Sequence, residues 1–246
     1  LTSFDLGSYR FDAGPSLLTM PHFIDELFVL FDENPRDYFN YKKKDISCRY
    51  FWDDGIKLNA YSDKSKFTNE IENILGVKQS IVSEYLLKAK RKYELTKNMF
   101  LEQSLHKLKT YFTKDLLNGL FNVFSFQINK TLNQVNESEL KEPHLVQLFN
   151  RFATYNGSSP YKTPGMMTLV QHLEQEYGTY VSDKGMHNIT SSLYDLALRH
   201  GIDFKFNSYV LEILVSNKRA RGVMVGEKSY ESDIVISNMD IVPTYR

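Results

Sequence analysis

The sequence predicts an α/β fold, because three regions differ in their residue pattern. Residues 1–62 carry short alternating bursts of aromatic and β-branched residues, which are typical of strands. Residues 63–150 show the period of amphipathic helices. In residues 151–246 the helix and strand patterns alternate, which is typical of an α/β protein.

The first region predicts a β-hairpin and one helix. Residues 48–52 and 56–61 form the two strands, with an Asp-Asp-Gly sequence at residues 53–55 between them. We expect a two-residue Asp-Gly turn, because both of its central positions can take positive φ. The helix opens at residues 20–22 and has acidic residues in its first turn. Its apolar face is formed by Phe23, Leu27, Leu30 and Phe31.

The second region predicts a short helix, a long basic helix and an uncharged segment. Asp63 or Ser65 can cap the short helix, and Gly76 can end it with left-handed backbone. Residues 81–95 repeat apolar side chains at the spacing of a long helix. Residues 116–129 contain no charged residue, but they are fewer than the ~20 apolar residues that cross a bilayer.

The third region predicts a helix followed by strands. Residues 189–198 form an amphipathic helix that ends in a basic turn and Gly201. The apolar residues that come next predict a strand directly after the helix, with a turn at residues 217–219 and a partner strand at residues 220–225. Residues 233–237 have the pattern of a short buried strand.

Charge, cysteine and histidine content limit the function classes. Thirty Lys and Arg balance 30 Asp and Glu, so the net charge does not indicate a nucleic-acid partner. The single cysteine, Cys48, excludes an internal disulfide, indicates a reducing compartment and is expected to be buried. The six histidines lack the spacing of metal ligands, so no metal site is predicted. Because the chain begins at Leu1, we interpret it as an internal piece of a longer protein.

Four motifs carry a resemblance to a known family. They are YRFDAGPSLLTMP near the start, RFATYNGSSPYKTP from residue 151, KGMHNITSSLYDLA from residue 184, and SDIVISNMDIVPTYR at the end. Together they resemble the bacterial phytoene-desaturase family of FAD-dependent carotenoid desaturases, within the amine-oxidase-like superfamily. The RFATYNGSSPYKTP motif and the RYFWDDG hairpin look more like its hydroxycarotenoid 3,4-desaturase branch.

The resemblance implies FAD as the cofactor of the full-length protein. It also implies a fragment of a Rossmann-like FAD-binding domain beside a substrate domain of mixed sheets and helices. None of the twelve glycines forms the G-x-G-x-x-G phosphate loop, so we expect the isolated chain to hold FAD poorly and to be inactive. The family pattern places these residues beside the cofactor: Asp12, Gly14, Pro15, Ser16, Gly185, Met186, Val210, Asn238 and Asp240.

The predicted cofactor residues also have an alternative interpretation in which they only shape the local structure. Without the resemblance, Asp12 and Gly14 form a strand-ending turn and Ser16 caps a helix. Lys184 departs from the family's Gly-Gly-Met turn, while Gly185 is expected to keep the tight position.

The substrate-binding residues are predicted in the motif that starts at Arg151. Alternating residues before Gly157 predict a strand leading into a loop, with one face lining an apolar channel. The predicted set is Arg151, Tyr155, Ser158, Ser159 and Pro160. Arg151 either stabilises negative charge on a reduced flavin or forms a surface ion pair at a strand edge. We assign no catalytic residue.

Residues 78–114 favour binding to a membrane surface. They contain nine Lys or Arg against three Glu, an excess of six, with apolar residues interleaved. A basic amphipathic helix can lie in an anionic interface, where a carotenoid substrate would be found. The alternative is a helix packed inside the domain with its lysines in water. We expect a cytoplasmic protein peripherally associated with the inner membrane, and the sequence predicts no oligomeric state.

The predicted function is that of a flavin-dependent carotenoid desaturase, which dehydrogenates phytoene or a 1-hydroxycarotenoid by hydride transfer to FAD. The alternatives are another amine-oxidase-like flavin oxidoreductase or, for the isolated chain, a non-catalytic lipid-binding domain. Residues 1–16 and 184–246 are predicted to belong to the FAD-binding domain. Residues 17–183 are predicted to form the substrate domain, with a membrane-facing helical part at residues 63–150.

Overall fold

A computed structural model describes residues 1–100 and 126–245 of the protein, and for residues 98–100 it describes the backbone alone. Its α-helices are α1 (His22–Val29), α2 (Lys64–Leu75), α3 (Gln79–Phe100), α4 (Leu132–Leu140), α5 (Pro143–Asn150), α6 (Val170–His172), α7 (His187–Arg199) and α8 (Ile241–Thr244). Its strands are β1 (Thr2–Leu6), β2 (Tyr9–Ala13), β3 (Tyr41–Lys43), β4 (Ile46–Phe51), β5 (Lys57–Tyr61), β6 (Tyr180–Ser182), β7 (Val210–Ser216), β8 (Arg219–Val225) and β9 (Lys228–Glu231). The predicted combination of helices and strands is confirmed, and the sheets of the described residues are small.

The named strands of the described residues pair in antiparallel fashion and form small sheets. β1 pairs with β2, β3 with β6, and β4 with β5, while β7, β8 and β9 form a three-stranded sheet in that order. A two-stranded ribbon cannot enclose a core by itself. Helices must therefore cover the sheet faces that are buried.

The chain divides into two compact units, Leu1–Tyr194 and Asp195–Arg246. The core of the first unit joins β5 to helices α2 to α5. Within it, Phe149 packs on Phe67 and Tyr85, with ring centroids 6.4 and 4.8 Å apart. Burial of each large apolar side chain contributes about 1.5–3 kcal/mol. The core formed by α2 to α5 also includes Phe152 and Val170, which lie in the segment that follows Arg151.

The predicted hairpin is confirmed in β4 and β5, but its turn differs from the prediction. The amide of Trp52 donates to the carbonyl of Ile56 at 3.0 Å, which leaves a three-residue loop. Only Gly55 in this loop has positive φ, at 91°. The two-residue turn was wrong because the carboxylate of Asp54 accepts from the amide of Ile56 at 3.1 Å and stabilises the longer loop. Cys48 on β4 is half-buried rather than buried.

Helix α2 begins and ends where the sequence predicts. The carboxylate of Asp63 accepts from the amide of Lys66 at 2.8 Å, so Asp63 is the cap and Ser65 lies inside the helix. Gly76 follows the last helical residue with φ of 69°. Both signals are local, which explains why they were readable in the sequence.

Helix α3 is confirmed, but one of its basic residues is buried. Lys92 is 5% exposed, and its Nζ donates to Oε1 of Gln127 at 2.6 Å and to Oγ1 of Thr168 at 2.9 Å. Burial lowers the pKa of Lys92 to about 8. Lys92 therefore does not belong to a basic surface, contrary to its place in the predicted membrane-binding set.

The rest of that predicted set is only partly described. Residues 101–114, and residues 116–125 of the uncharged segment, lie outside the described residues. In the part of the chain that the structure describes, no helix is both long and apolar enough to cross a bilayer.

Helix α1 exposes the apolar face that the sequence predicts. The exposed fractions are 53% for Phe23, 41% for Leu27, 75% for Leu30 and 44% for Phe31. Phe28 is the residue that faces the core, where it is fully buried. The helical spacing identified the apolar side of α1, but it did not predict that this side is exposed.

Helix α7 and the hairpin after it agree with the sequence. The helix ends before Gly201, which has φ of 78°. Asn217 and Lys218 form the turn between β7 and β8, with φ of 51° and 61°. The first strand begins at Val210 and not directly after the helix.

The predicted buried strand at residues 233–237 was wrong. Ile234 and Ile236 are 75% and 89% exposed, and the segment pairs with no described strand. A buried strand needs neighbours for its amides and carbonyls. In the second unit β9 pairs with β8, and residues 233–237 have no ladder partner.

Candidate functional site

Asp12, the first predicted cofactor residue, lies in β2 beside the start of α7. Its Oδ2 accepts from the amide of Met186 at 2.8 Å, and its Oδ1 accepts from the amide of His187 at 3.2 Å. Amides at a helix start have no partner within the helix, and a negative charge is favourable there. Asp12 therefore caps a helix that begins far along the chain.

Arg10 binds both Asp12 and the turn that precedes α7. Its Nη2 donates to Oδ1 of Asp12 at 3.0 Å, and its Nη1 donates to the carbonyl of Lys184 at 3.2 Å. Burial acts to raise the pKa of Asp12, but the hydrogen bonds from the two amides and Arg10 outweigh it and hold the pKa below its usual value. Sequence reasoning missed Arg10, because a single arginine in a strand carries no signal of a partner 174 residues away.

Gly185 occupies the tight position that the sequence predicts. Its φ is 85°, and a Cβ at this position would lie 2.3 Å from Oδ2 of Asp12. Lys184 is not among the residues with positive φ, so lysine in place of the family's first glycine does not strain the turn.

Residues 14–16 follow β2 as an exposed segment. Gly14 has φ of 122°, which residues with a side chain rarely adopt. The amides of Gly14 and Ser16 make no hydrogen bond within the described part of the chain, and helix α1 has no side-chain cap. Open donors beside a residue without a side chain fit the edge of a flat, hydrogen-bonding ring such as a flavin. The amides of Met186 and His187, by contrast, are already bound to Asp12.

The remaining predicted cofactor residues lie in the second unit. Val210 is the first residue of β7 and is 46% exposed. Asp240 caps α8, since its Oδ1 accepts from the amide of Val242 at 2.9 Å. Asn238 is exposed in the segment before this helix.

Arg151 begins a 3-10 helix, Arg151–Asn156, where the sequence predicts a strand. The hydroxyl of Thr154 donates to the carbonyl of Arg151 at 2.7 Å, and the amide of Gly157 donates to the carbonyl of Thr154 at 3.0 Å. The strand prediction was wrong because local hydrogen bonds satisfy this backbone, and no described strand pairs with it.

Arg151 and Tyr155 share one buried carboxylate, that of Glu174. Nη2 of Arg151 lies 2.8 Å from Oε2 of Glu174, and the hydroxyl of Tyr155 donates to Oε1 at 2.5 Å. Nε of Arg151 donates to the hydroxyl of Tyr50 at 2.8 Å. Glu174 is 2% exposed, and a carboxylate this buried is stable only because its partners are in place.

The charges of Arg151 and Glu174 balance each other within this cluster. Burial raises the pKa of both Tyr50 and Tyr155 above the usual value, so their hydroxyls stay protonated. Burial acts to lower the pKa of Arg151, but Glu174 outweighs it and raises the pKa. The ion pair of Arg151 with Glu174 is therefore largely buried, and it is not the surface ion pair at a strand edge that was one of the two sequence-based alternatives. No sequence signal marks Glu174 or Tyr50, because they lie 23 and 101 residues from Arg151.

Ser158, Ser159 and Pro160 form a turn whose polar groups are engaged. The hydroxyl of Thr163 donates to Oγ of Ser158 at 2.8 Å, and its amide donates to the carbonyl of Ser159 at 2.8 Å. The carbonyl of Pro160 accepts from the amide of Asn133 at 3.1 Å. An open groove of about 570 Å³ beside this turn is lined by polar and apolar side chains, among them Asn133, Gln147, Asn150, Arg151, Pro160 and Tyr161.

Comparison with characterised proteins gives a family and several curated relatives. A model of the flavin containing amine oxidoreductases matches residues 1–242. A 1-hydroxycarotenoid 3,4-desaturase from Flavobacterium sp. (strain P99-3) is 48% identical over 246 residues, which are 100% of this chain and 50% of that protein. A 4,4'-diapolycopene oxygenase from Methylomonas sp is 29% identical over 96% of this chain and 47% of its own length. A 4,4'-diaponeurosporene oxygenase from Staphylococcus aureus (strain USA300) is 29% identical over 97% of this chain and 48% of its own length.

Solved structures share the fold. A crystal structure of an oxidoreductase from Methanosarcina mazei aligns with a TM-score of 0.58 at 14% identity, over 99% of this chain and 51% of that chain. The chain thus spans about half the length of the curated relatives and of the solved structure that it matches.

Proposed function

Because the chain belongs to the family of flavin-containing amine oxidoreductases, we propose that the full-length protein carrying it is an FAD-dependent carotenoid desaturase. The observation that carries this proposal is the 48% identity of all 246 residues to a 1-hydroxycarotenoid 3,4-desaturase. The carotenoid oxygenases are more distant, at 29% identity. We therefore propose a 1-hydroxycarotenoid as the substrate, in preference to phytoene.

In the first unit, we propose that some residues contact FAD and that Asp12 positions them. When bound, FAD supplies the acceptor for the electrons that leave the carbon chain, a role that no amino-acid side chain can fill. The exposed backbone of Gly14, Pro15 and Ser16 is proposed to hold the ring. Asp12 positions this segment, because its carboxylate joins β2 to the turn at Gly185 and Met186.

In the second unit we propose Val210, Asn238 and Asp240 as further cofactor contacts. Val210 is exposed at the start of β7. One oxygen of Asp240 is already used in capping α8, so its other oxygen is the one available to a ligand. Asn238 adds an exposed amide that can both donate and accept.

On the substrate side we propose that Arg151 and Tyr155 shape the binding site as a fixed pair. Glu174 balances the charge of Arg151, so Arg151 has little capacity to stabilise negative charge on a reduced ring. Ser158, Ser159 and Pro160 would act through the backbone turn that they form. This reading favours substrate positioning by these residues over a direct chemical role.

The desaturase proposal is tested by expressing the full-length protein in cells that accumulate either phytoene or a 1-hydroxycarotenoid. We expect the hydroxylated substrate to gain a double bond, seen as a shift of its absorption to longer wavelength and a mass loss of two hydrogens. Phytoene should be unchanged. Desaturation of phytoene alone would refute the proposed substrate, and an oxygenated product would refute the reaction class.

We also propose that the protein associates with the cytoplasmic face of the inner membrane through α3. Its exposed Arg91 lies on the helix with the half-buried Lys97, and a basic group near anionic lipid contributes about 1 kcal/mol to binding. In a liposome co-sedimentation assay, Arg91→Gln is therefore expected to bind anionic vesicles about fivefold more weakly. Lys162→Gln, an exposed lysine outside α3, is the matched control. Equal binding to neutral and anionic vesicles would contradict this proposal.

A further inference from the structure

A cavity of about 160 Å³ lies between α2, α3 and residues 170–177. A single water molecule has a share of about 30 Å³ in the liquid, so the space suits a larger group. Leu86 and Leu87 line it with apolar surface, and Thr68 also contributes to its wall. The cavity can therefore take a short, branched hydrocarbon end.

Two buried polar side chains line the cavity, and one of them has an atom without a partner among the described residues. His172 is 5% exposed and Gln175 is 6% exposed, and both line the cavity. Oε1 of Gln175 is buried and accepts no hydrogen bond from the described residues, whereas the ring of His172 packs against Tyr93 and Tyr177. Buried polar groups normally have a partner, since an unmet one costs about 1–3 kcal/mol. Oε1 of Gln175 thus indicates a ligand that donates a hydrogen bond, and the imidazole of His172 lines the same cavity.

The surroundings of these groups favour a neutral ligand. Burial lowers the pKa of His172, so its imidazole is uncharged at pH 7 and offers one donor and one acceptor. Lys64 pairs with Glu176, and Nζ of Lys90 lies 3.9 Å from Oε1 of Glu176 and 3.8 Å from Oε1 of Glu94. Two acids balance the two lysines at the rim, so an anion would gain little.

We infer that this cavity binds the hydroxyl-bearing end of the polyene substrate. One O–H group can donate to Oε1 of Gln175 and accept from a ring nitrogen of His172, while the adjoining carbons pack on Leu86 and Leu87. Gln175 belongs to the π-helical turn Leu173–Tyr177, a feature frequent at functional sites. The inference rests on the proposed function, because the hydroxylated polyene is the substrate that the proposed function names.

The first test compares two substrates of the full-length holoenzyme, a 1-hydroxylated polyene and the same polyene without the hydroxyl. The unmodified enzyme should prefer the hydroxylated polyene in kcat/KM. His172→Phe should lose about tenfold of that preference while still turning over the unhydroxylated polyene, because one hydrogen bond is removed and the ring volume is kept. Gln175→Leu is expected to cause a similar loss.

The matched control is His22→Phe, the same substitution at an exposed histidine that does not line the cavity. It should leave the preference unchanged. The inference is overturned when both His172→Phe and Gln175→Leu keep the preference of the unmodified enzyme.

A binding measurement separates this inference from the proposed function. If the holoenzyme desaturates neither polyene, the proposed function fails and the cavity is judged by binding alone. Tert-amyl alcohol should then produce a saturable shift of the His172 ring resonances in the histidine-labelled holoenzyme, and Gln175→Leu should weaken it. A linear, non-saturating shift would mean that the cavity holds only water and would refute the inference.

Discussion

Replacing Glu174 with leucine is expected to lower the free energy of unfolding by about 3 kcal/mol. Glu174 is 2% exposed and accepts from both Arg151 and Tyr155. Without its carboxylate, a mostly buried guanidinium loses its counter-charge and a tyrosine hydroxyl loses its acceptor. Urea unfolding at pH 7 measures the loss.

The matched control is Glu176→Leu, two residues further along the same segment. Its carboxylate is 37% exposed and pairs with Lys64, so its removal should cost less than about 1 kcal/mol. The double variant Arg151→Met with Glu174→Leu should recover part of the loss, because neither charge is then left alone. If both single variants lost the same free energy of unfolding, the proposed stabilising role of the Arg151–Glu174–Tyr155 cluster would be contradicted.

Replacing Asp12 with alanine is expected to destabilise the protein by about 1 kcal/mol at pH 7, the usual effect of losing a helix cap. The amides of Met186 and His187 lose their acceptor, and Arg10 loses its ion pair. Asp233→Ala is the control, since Asp233 is exposed and makes no side-chain hydrogen bond or ion pair within the described residues. Urea unfolding compares the two variants with the unmodified protein.

The stabilisation from Asp12 should depend on pH in one direction. Its pKa in the folded state lies below the usual value, so it stabilises the fold above the unfolded-state pKa of about 4. As the pH falls below that value and through the lower folded pKa, the stabilisation is lost. The difference between the unmodified protein and Asp12→Ala should therefore shrink on acidification. A difference that grows with acid would show that the carboxylate is not the stabilising group.

Much of the fold was readable in the sequence because its signals are local. Asp63 and Gly76 bound α2, and Gly201 follows the last turn of α7. The hairpin of β4 and β5 follows from alternation on either side of an Asp-Gly pair. These signals act within a few residues, through capping hydrogen bonds and backbone conformation.

The errors at residues 151–156, at residues 233–237 and at Lys92 share one cause, which is that a sequence pattern does not identify the residues that it will contact. Residues 151–156 and 233–237 have strand-like composition, yet the described chain offers neither segment a strand with which to pair. Lys92 looks like a surface lysine in the helical pattern, but Gln127 and Thr168 enclose it.

By itself the sequence determined the α/β class, the bounds of the best-capped helices, and the motifs that resemble the carotenoid desaturases. Only the tertiary structure decided which polar groups meet: Asp12 with the start of α7, Arg151 with Glu174, and His172 with Gln175 in one cavity. The physical reason is that a hydrogen bond or ion pair depends on distances of about 3 Å, and those distances exist only once remote segments have packed.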